Sequence, residues 1–243
     1  MTNVMIKIQL PDRPKQLTKE LELELIERFK RNTNDCVWRT KFIKDAVFDI
    51  AFGKCAYSEA KLKEEGKDMQ IDHFYPKLAY KEKVVEWGNM LPSLNVCNRH
   101  KGDTDPSSVA IINPLFDDPK EHLFANNGFI GYKDEIGRNT IDVFDLNNQS
   151  YLYIPRSLLL KEIGNNLIDI EPWIEKDISY FVSRLKQIMS KGTQRFAYSA
   201  VVSTFILENK KYATYKELLK KKSLWDDELC GLEKNMEFCS MRK

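Results

Sequence analysis

Along the chain the period of the apolar residues changes, and each change marks an expected element. Ile6, Ile8 and Leu10 alternate with polar neighbours and predict a short strand, which Pro11 and Pro14 end because proline withholds a ladder donor. Leu21, Leu25, Ile26 and Phe29 then recur at helical spacing behind Thr18, a suitable N-cap. Glu20, Glu22 and Glu24 fall early in that segment and Arg28, Lys30 and Arg31 late, as the helix dipole favours. Asn32 to Asp35 break it. Trp38, Phe42, Ile43, Ala46, Val47 and Ile50 keep one apolar face through a second helix expected to stop at Gly53.

From Lys54 to Asp103 the periodicity weakens, and polar, proline and asparagine residues concentrate, as in a site built from loops on a small scaffold. Gly128 to Tyr132 and Thr140 to Leu146 read as the two arms of a β-hairpin across a polar turn. Helical spacing returns after Pro155, near Arg156 to Asn166, Ile178 to Met189 and Phe196 to Leu207. The basic Lys216 to Lys222 segment leads into a loosely patterned tail, and the chain shows neither internal repeats nor a low-complexity linker. The expected division is 1–53 (strand and helices), 54–125 (the loop-rich core) and 126–243 (hairpin and helices).

Composition narrows the class. Hydrophobic residues make up 42% and charged residues 30% of the 243 positions, the profile of a soluble globular protein. No apolar run approaches the roughly 20 residues that span a bilayer, and Met1 to Leu10 lacks the apolar block of a signal peptide. No membrane association and a cytoplasmic location are therefore expected. Five scattered cysteines with no Cys-x-x-Cys pair exclude a disulfide framework and read as reduced thiols. A net charge of +2 leaves any attraction to nucleic acid to local patches.

Four short pieces carry candidate chemistry: Lys54-Cys55-Ala56-Tyr57-Ser58-Glu59, Ile71-Asp72-His73-Phe74-Tyr75-Pro76-Lys77, Trp87-Gly88-Asn89-Met90 and Cys97-Asn98-Arg99-His100-Lys101-Gly102. Hydrolysis of a phosphodiester needs a base near neutral pKa for water and a hard cation to offset charge on the phosphoryl oxygens. His73 and Asp72 supply these residue types. If Met69 to Phe74 is a strand, their side chains point to opposite faces, so one can hold metal while the other addresses water where the strand twists or ends. Asn98, after an expected turn at Pro92 to Asn95, begins a short helix closed by Gly102 and can offer an amide oxygen toward Asp72. Asn89 can bond across the loop that follows His73 and fix the imidazole. On a helix His100 lies about 200° round from Asn98 and faces away from the same metal. Lys77, Arg99, His100 and Lys101 are candidate phosphate contacts, with Lys54, Lys61, Lys63, Lys81 and Lys83 adding positive potential. His122 reads as a surface residue. Each piece alone has a plainer reading: a surface Asp-His pair, a turn asparagine, a helix-start asparagine, solvated lysines.

Together the pieces resemble the HNH endonuclease motif in its ββα-metal form, with His73, Asn89 and Asn98 at the three signature positions (an HNN variant). The resemblance implies an α+β fold in which a ββα-metal core is flanked by an N-terminal helical segment and a C-terminal hairpin plus helical region. It implies that Asp72 and Asn98 bind Mg²⁺ or Mn²⁺, that His73 is the general base, and that Asn89 braces the loop. Gly53 to Glu59, His73 to Lys77, Asn113-Pro114 and Asp117-Asp118-Pro119 extend the likeness to PtuB-type HNH proteins of Septu and some retron anti-phage systems. That resemblance implies as partners DNA or an RNA such as tRNA, a PtuA-like ABC-type ATPase and, in retron settings, a reverse transcriptase with its RNA–DNA hybrid.

The chain departs from many such relatives in one respect. Ser58 and Leu94 stand where the second and third cysteines of two Cys-x-x-Cys pairs would be, leaving Cys55 and Cys97. Two thiolates do not complete a tetrahedral zinc site, so packing is expected to replace a structural zinc. Two rival readings stay open: a catalytically decayed HNH subunit that binds nucleic acid or acts as a scaffold, and a zinc-stabilised DNA-reading module without chemistry.

Overall fold

The computed structural model describes residues 5–64 and 68–243. Helix α1 (Lys19–Arg31) begins where the Thr18 hydroxyl accepts from the Leu21 N–H, and it buries Leu25, Ile26 and Phe29. The expected second helix is broken. Val37–Arg39 form one 3₁₀ turn, Thr40 is extended, and α2 (Lys41–Ile50) starts only after it. Extended Thr40 ends the turn, yet the 3/4 spacing of the apolar residues survives across it and hides it from a periodicity reading.

Strands β1 (Met69–His73) and β2 (Met90–Leu94) pair antiparallel with Asp72 opposite Leu91 and His73 opposite Met90. Helix α3 (Asn95–Lys101) follows β2 directly, so the expected turn at Pro92 to Asn95 does not exist. Pro92 lies inside a two-stranded sheet, where a missing ladder donor is tolerated on an edge. Gly102, at positive φ, closes α3 as expected. The result is a strand–loop–strand–helix unit in the order of the motif.

The hairpin expectation needs correction. Strand β3 (Leu123–Asn126) pairs with β4 (Phe129–Tyr132), while residues 135–144 form helix α4 (Glu135–Phe144). Asn127 and Gly128 both take positive φ, as a type I′ turn requires, and Asn-Gly is the strongest short hairpin signal. Asp134 caps α4 by accepting from the Gly137 N–H, so Thr140 and Ile141 face the core from a helix rather than a strand.

After a single π-helical turn come α5 (Ile154–Asp169), α6 (Trp173–Lys176), α7 (Ile178–Ser190) and α8 (Ser199–Glu208). Tyr198 sits in the left-handed region, which delays α8 past the expected start at Phe196. The tail is helical too, as α9 (Lys210–Lys221) and α10 (Asp227–Cys239). The expected opening strand is not formed among the described residues; the Ile8 N–H instead donates to the Pro114 carbonyl at 2.8 Å. One apolar core gathers residues from Met5 to Met236, and no helix among the described residues is long and apolar enough to cross a membrane.

Candidate metal and catalytic site

Asp72 and His73, adjacent on β1, turn to different neighbours. The Asp72 carboxylate is 3% exposed and fully engaged: the Tyr57 hydroxyl donates to Oδ2 at 2.5 Å, and the Lys101 ammonium to Oδ1 at 3.1 Å. Lys101, read from the sequence as a phosphate contact, lies inside at 2% exposure and also donates to the His73 carbonyl at 2.7 Å. Tyr57 is held by stacking on Phe144 of α4, with ring centroids 3.8 Å apart, and its burial, then the Asp72 charge, push the phenol well above its usual pKa. It is therefore a permanent donor to Asp72.

Asn98 and Lys101 are three residues apart on α3 and share one helix face, so Asn98 stands on the face that Lys101 turns toward Asp72. Its side chain is half-buried. Among the described residues no hydrogen bond joins Asn98 to Asp72 or His73, and no three His, Cys, Asp or Glu side chains gather into a metal-holding group.

His73 occupies the other face. It is 5% exposed, packs edge-on against Trp38 at 4.9 Å, and its Nε2 lies 2.8 Å from the Val84 carbonyl. A carbonyl only accepts, so Nε2 carries the proton and Nδ1 keeps the basic lone pair. Burial lowers the imidazole pKa to about 4, against the opposing pull of that carbonyl and of Asp72. The Asn89 amide spans the following loop: Oδ1 accepts from the Tyr75 N–H at 2.7 Å, while Nδ2 donates to the carbonyls of Tyr75 and Lys83 at 3.2 and 3.0 Å. It thereby fixes the segment whose Val84 carbonyl orients His73.

The remaining candidates scatter around this centre. Lys77 is half-buried over the Trp38 ring, Arg99 is exposed, and exposed His100 lies 3.3 Å from Asp145. His122 bonds Asp134 at 2.6 Å. Lys54 adds no surface potential, because it is buried against Glu59 at 2.7 Å. Ser199 and the Ala200 N–H complete the Glu59 cage and tie this segment to α8. Sequence reasoning missed Tyr57 and the inward turn of Lys101. The signal for the second was its spacing of three from Asn98.

Behind the site, Cys55, Ser58, Leu94 and Cys97 lie together. Cys55 and Cys97 are buried, and the Cys55 thiol donates to Ser93 Oγ at 4.0 Å. Burial would raise the Cys55 pKa, but the polar influence of Cys97, Ser58 and the Leu94 backbone outweighs it and brings the thiol down to about 6, while Cys97 is pushed up. Arg156 of α5, fully buried, lies within their electrostatic reach. Its Nη1 donates to the Leu146 carbonyl at 2.7 Å, whereas Nε and Nη2 have no hydrogen-bond partner among the described residues.

Comparison with known proteins places the chain. It is 34% identical to the Septu protein PtuB of Bacillus thuringiensis, over 96% of this chain and 94% of that protein. It is 28% identical to the Septu protein PtuB of Bacillus mycoides (strain KBAB4), over 68% of this chain and 70% of that one. No family model and no solved structure matches. The fold is α+β, and the chain is a component of an anti-phage defence system. It belongs to the Septu PtuB family.

Proposed function

We propose that this chain is a metal-dependent HNH endonuclease, the effector of a defence complex with a PtuA-like ABC-type ATPase, cutting phosphodiester bonds in DNA or an RNA such as tRNA. One observation carries the reading: β1, a loop braced by Asn89, β2 and α3 follow one another in motif order, with Asp72 and His73 at the end of β1 and Asn98 on the helix. The donor set suits a hard cation, since a carboxylate and an amide oxygen with added waters are what magnesium accepts. Asp72 already binds positive charge through Oδ1, in the form of the Lys101 ammonium.

A Mg²⁺ or Mn²⁺ ion held by Asp72 and Asn98 would neutralise charge on the phosphoryl and leaving oxygens. Tyr57 keeps Asp72 aimed. His73, neutral at physiological pH, takes a proton from water at Nδ1 while the Val84 carbonyl stabilises the imidazolium through Nε2–H. His73 is 5% exposed and packed edge-on against Trp38, so access of water to Nδ1 requires a local opening of this packing, a step that substrate or partner binding can drive. Arg99, exposed, supplies a phosphate contact.

A second reading, the decayed HNH scaffold, draws on the same burial: a 5% exposed His73 and an Asp72 already satisfied by Lys101 describe a resting site without chemistry. The two separate on activity. With the ATPase partner and Mn²⁺, the nuclease reading expects nicking of plasmid or cleavage of RNA, lost in a folded His73→Ala variant. Equal cleavage by variant and parent, or none by either on both substrates, rejects it.

A further inference from the structure

In the C-terminal part of the chain lies a cleft that the reading above does not use. It opens between the tip of the β3–β4 hairpin, α5, α8 and the start of α9, with a volume of about 800 Å³. That is the size of pockets that enclose small organic ligands, roughly 300–1,000 Å³. We propose that it binds a nucleoside phosphate, with the base on Phe205 and the phosphate on Lys161 and Lys210.

The aromatic wall is built deliberately. Gly164 lies inside α5, where glycine costs a helix about 1 kcal/mol relative to alanine. A Cβ there would sit 3.3 Å from the Phe205 ring, so the glycine lets that half-buried ring lie close against α5 along the cleft. A flat apolar face in a polar-rimmed cleft suits a stacked base.

The charge is also suited to phosphate. Three lysines (Lys161, Lys210, Lys211) line the cleft against one carboxylate, Glu208. Lys211 is held by Glu171 at 2.5 Å, whereas Lys161 and Lys210 make no ion pair among the described residues. Lys210 opens α9, a 12-residue helix whose first turn carries no acid, so the positive end of the helix dipole adds to both ammonium groups. Ser157 also lines the cleft, and its Oγ, buried behind that wall, has no hydrogen-bond partner among the described residues.

The free nucleotide and the phosphorylated end of a strand offer the same chemistry, so the test separates them. Calorimetric titration of the full chain, with EDTA present to silence any metal site, uses AMP, adenosine, inorganic phosphate, and a trinucleotide with a 5′-phosphate or a 5′-hydroxyl. AMP should saturate the protein and bind at least about tenfold more tightly than adenosine or phosphate, the gain expected of charge-assisted contacts combined with stacking. Lys161→Glu with Lys210→Glu should weaken AMP about tenfold or more with an unchanged circular dichroism spectrum. Phe205→Ala should weaken AMP and leave phosphate binding unaltered. Preference for the 5′-phosphorylated trinucleotide over AMP assigns the cleft to strand ends; the reverse assigns it to free nucleotide. No saturable binding by AMP or the phosphorylated trinucleotide, phosphate binding as tight as AMP, or unchanged AMP affinity in the lysine variant overturns the proposal. None of these outcomes depends on nuclease activity.

Discussion

Two buried cations, Lys101 and Arg156, are held differently. Lys101 lies beside Asp72 with its ammonium bonded to a carboxylate and a carbonyl. Arg156 lies near Cys55 and Cys97 with two guanidinium nitrogens that lack any hydrogen-bond partner among the described residues. Lys101 ends in a single flexible point charge at the edge of a helix face, beside the half-buried Asn98. Arg156 is a rigid fork at 0% exposure, bonded to the Leu146 carbonyl on one side and lying 5.5 Å from the Tyr198 ring centroid. One cation has its donors answered and the other does not. On the proposed reading, a divalent ion would take the place of the Lys101 ammonium at Asp72. Near the cysteines the Arg156 guanidinium is a fixed buried charge within electrostatic reach of both thiols.

The comparison can be broken first through Lys101. Lys101→Met removes the counter-charge of a buried carboxylate, and urea denaturation in EDTA should show a loss of about 3–5 kcal/mol. Adding Asp72→Asn to that variant should recover a large part of the loss, because no buried charge remains unpaired. A loss under about 1 kcal/mol, as at a surface ion pair, contradicts the description of Lys101 as an internal cation.

His73 gives the next effect, through pH. Its folded pKa, about 4, lies below the unfolded value of 6.5, so the unfolded chain binds more protons between those limits. Stability therefore falls as pH drops from 6.5 toward 4 and is unaffected by this group above 6.5. The span corresponds to roughly 3 kcal/mol. Thermal unfolding across that window should show the slope, and His73→Gln should flatten it.

Cys55 sharpens the comparison from the other side. Its folded pKa of about 6 lies below the usual 9.0, so its contribution to stability is complete above pH 9 and fades as pH falls toward 6. Cys55→Ala should flatten the stability profile between pH 6 and 9. An unaltered profile contradicts a depressed Cys55 thiol. The smallest effect belongs to the hairpin tip, where Gly128→Ala forces a Cβ within 2.9 Å of Ser157 Oγ at positive φ. Unfolding should register about 1–2 kcal/mol, with Asp72 and its partners untouched.

How much of this was legible beforehand follows from which forces each element obeys. Helix α1, the Gly102 stop and the loop brace of Asn89 were readable because capping, glycine conformation and local side-chain bonds act over a few residues. Thr140 to Leu146 read as a strand because Thr, Ile, Val and Phe are β-formers. The Asp134 cap and the Asn127–Gly128 turn decided otherwise, and both signals were present in the sequence. The order of Asp72, His73, Asn89 and Asn98 was legible as a motif. The inward turn of Lys101, the stacking of Tyr57 on Phe144 and the approach of Arg156 to the cysteines were not, since each joins segments 29 to 101 residues apart through tertiary packing.

The central claim is that Asp72 holds a cation that a divalent ion can exchange for Lys101. Calorimetric titration of Mn²⁺ into the folded parent, Lys101→Met and Asp72→Asn measures it directly. Saturable binding is expected in the parent, binding tighter by about tenfold or more in Lys101→Met, where competition by the ammonium is gone, and none in Asp72→Asn. Equal affinity in the parent and Lys101→Met, or Mn²⁺ binding that survives Asp72→Asn, would contradict it.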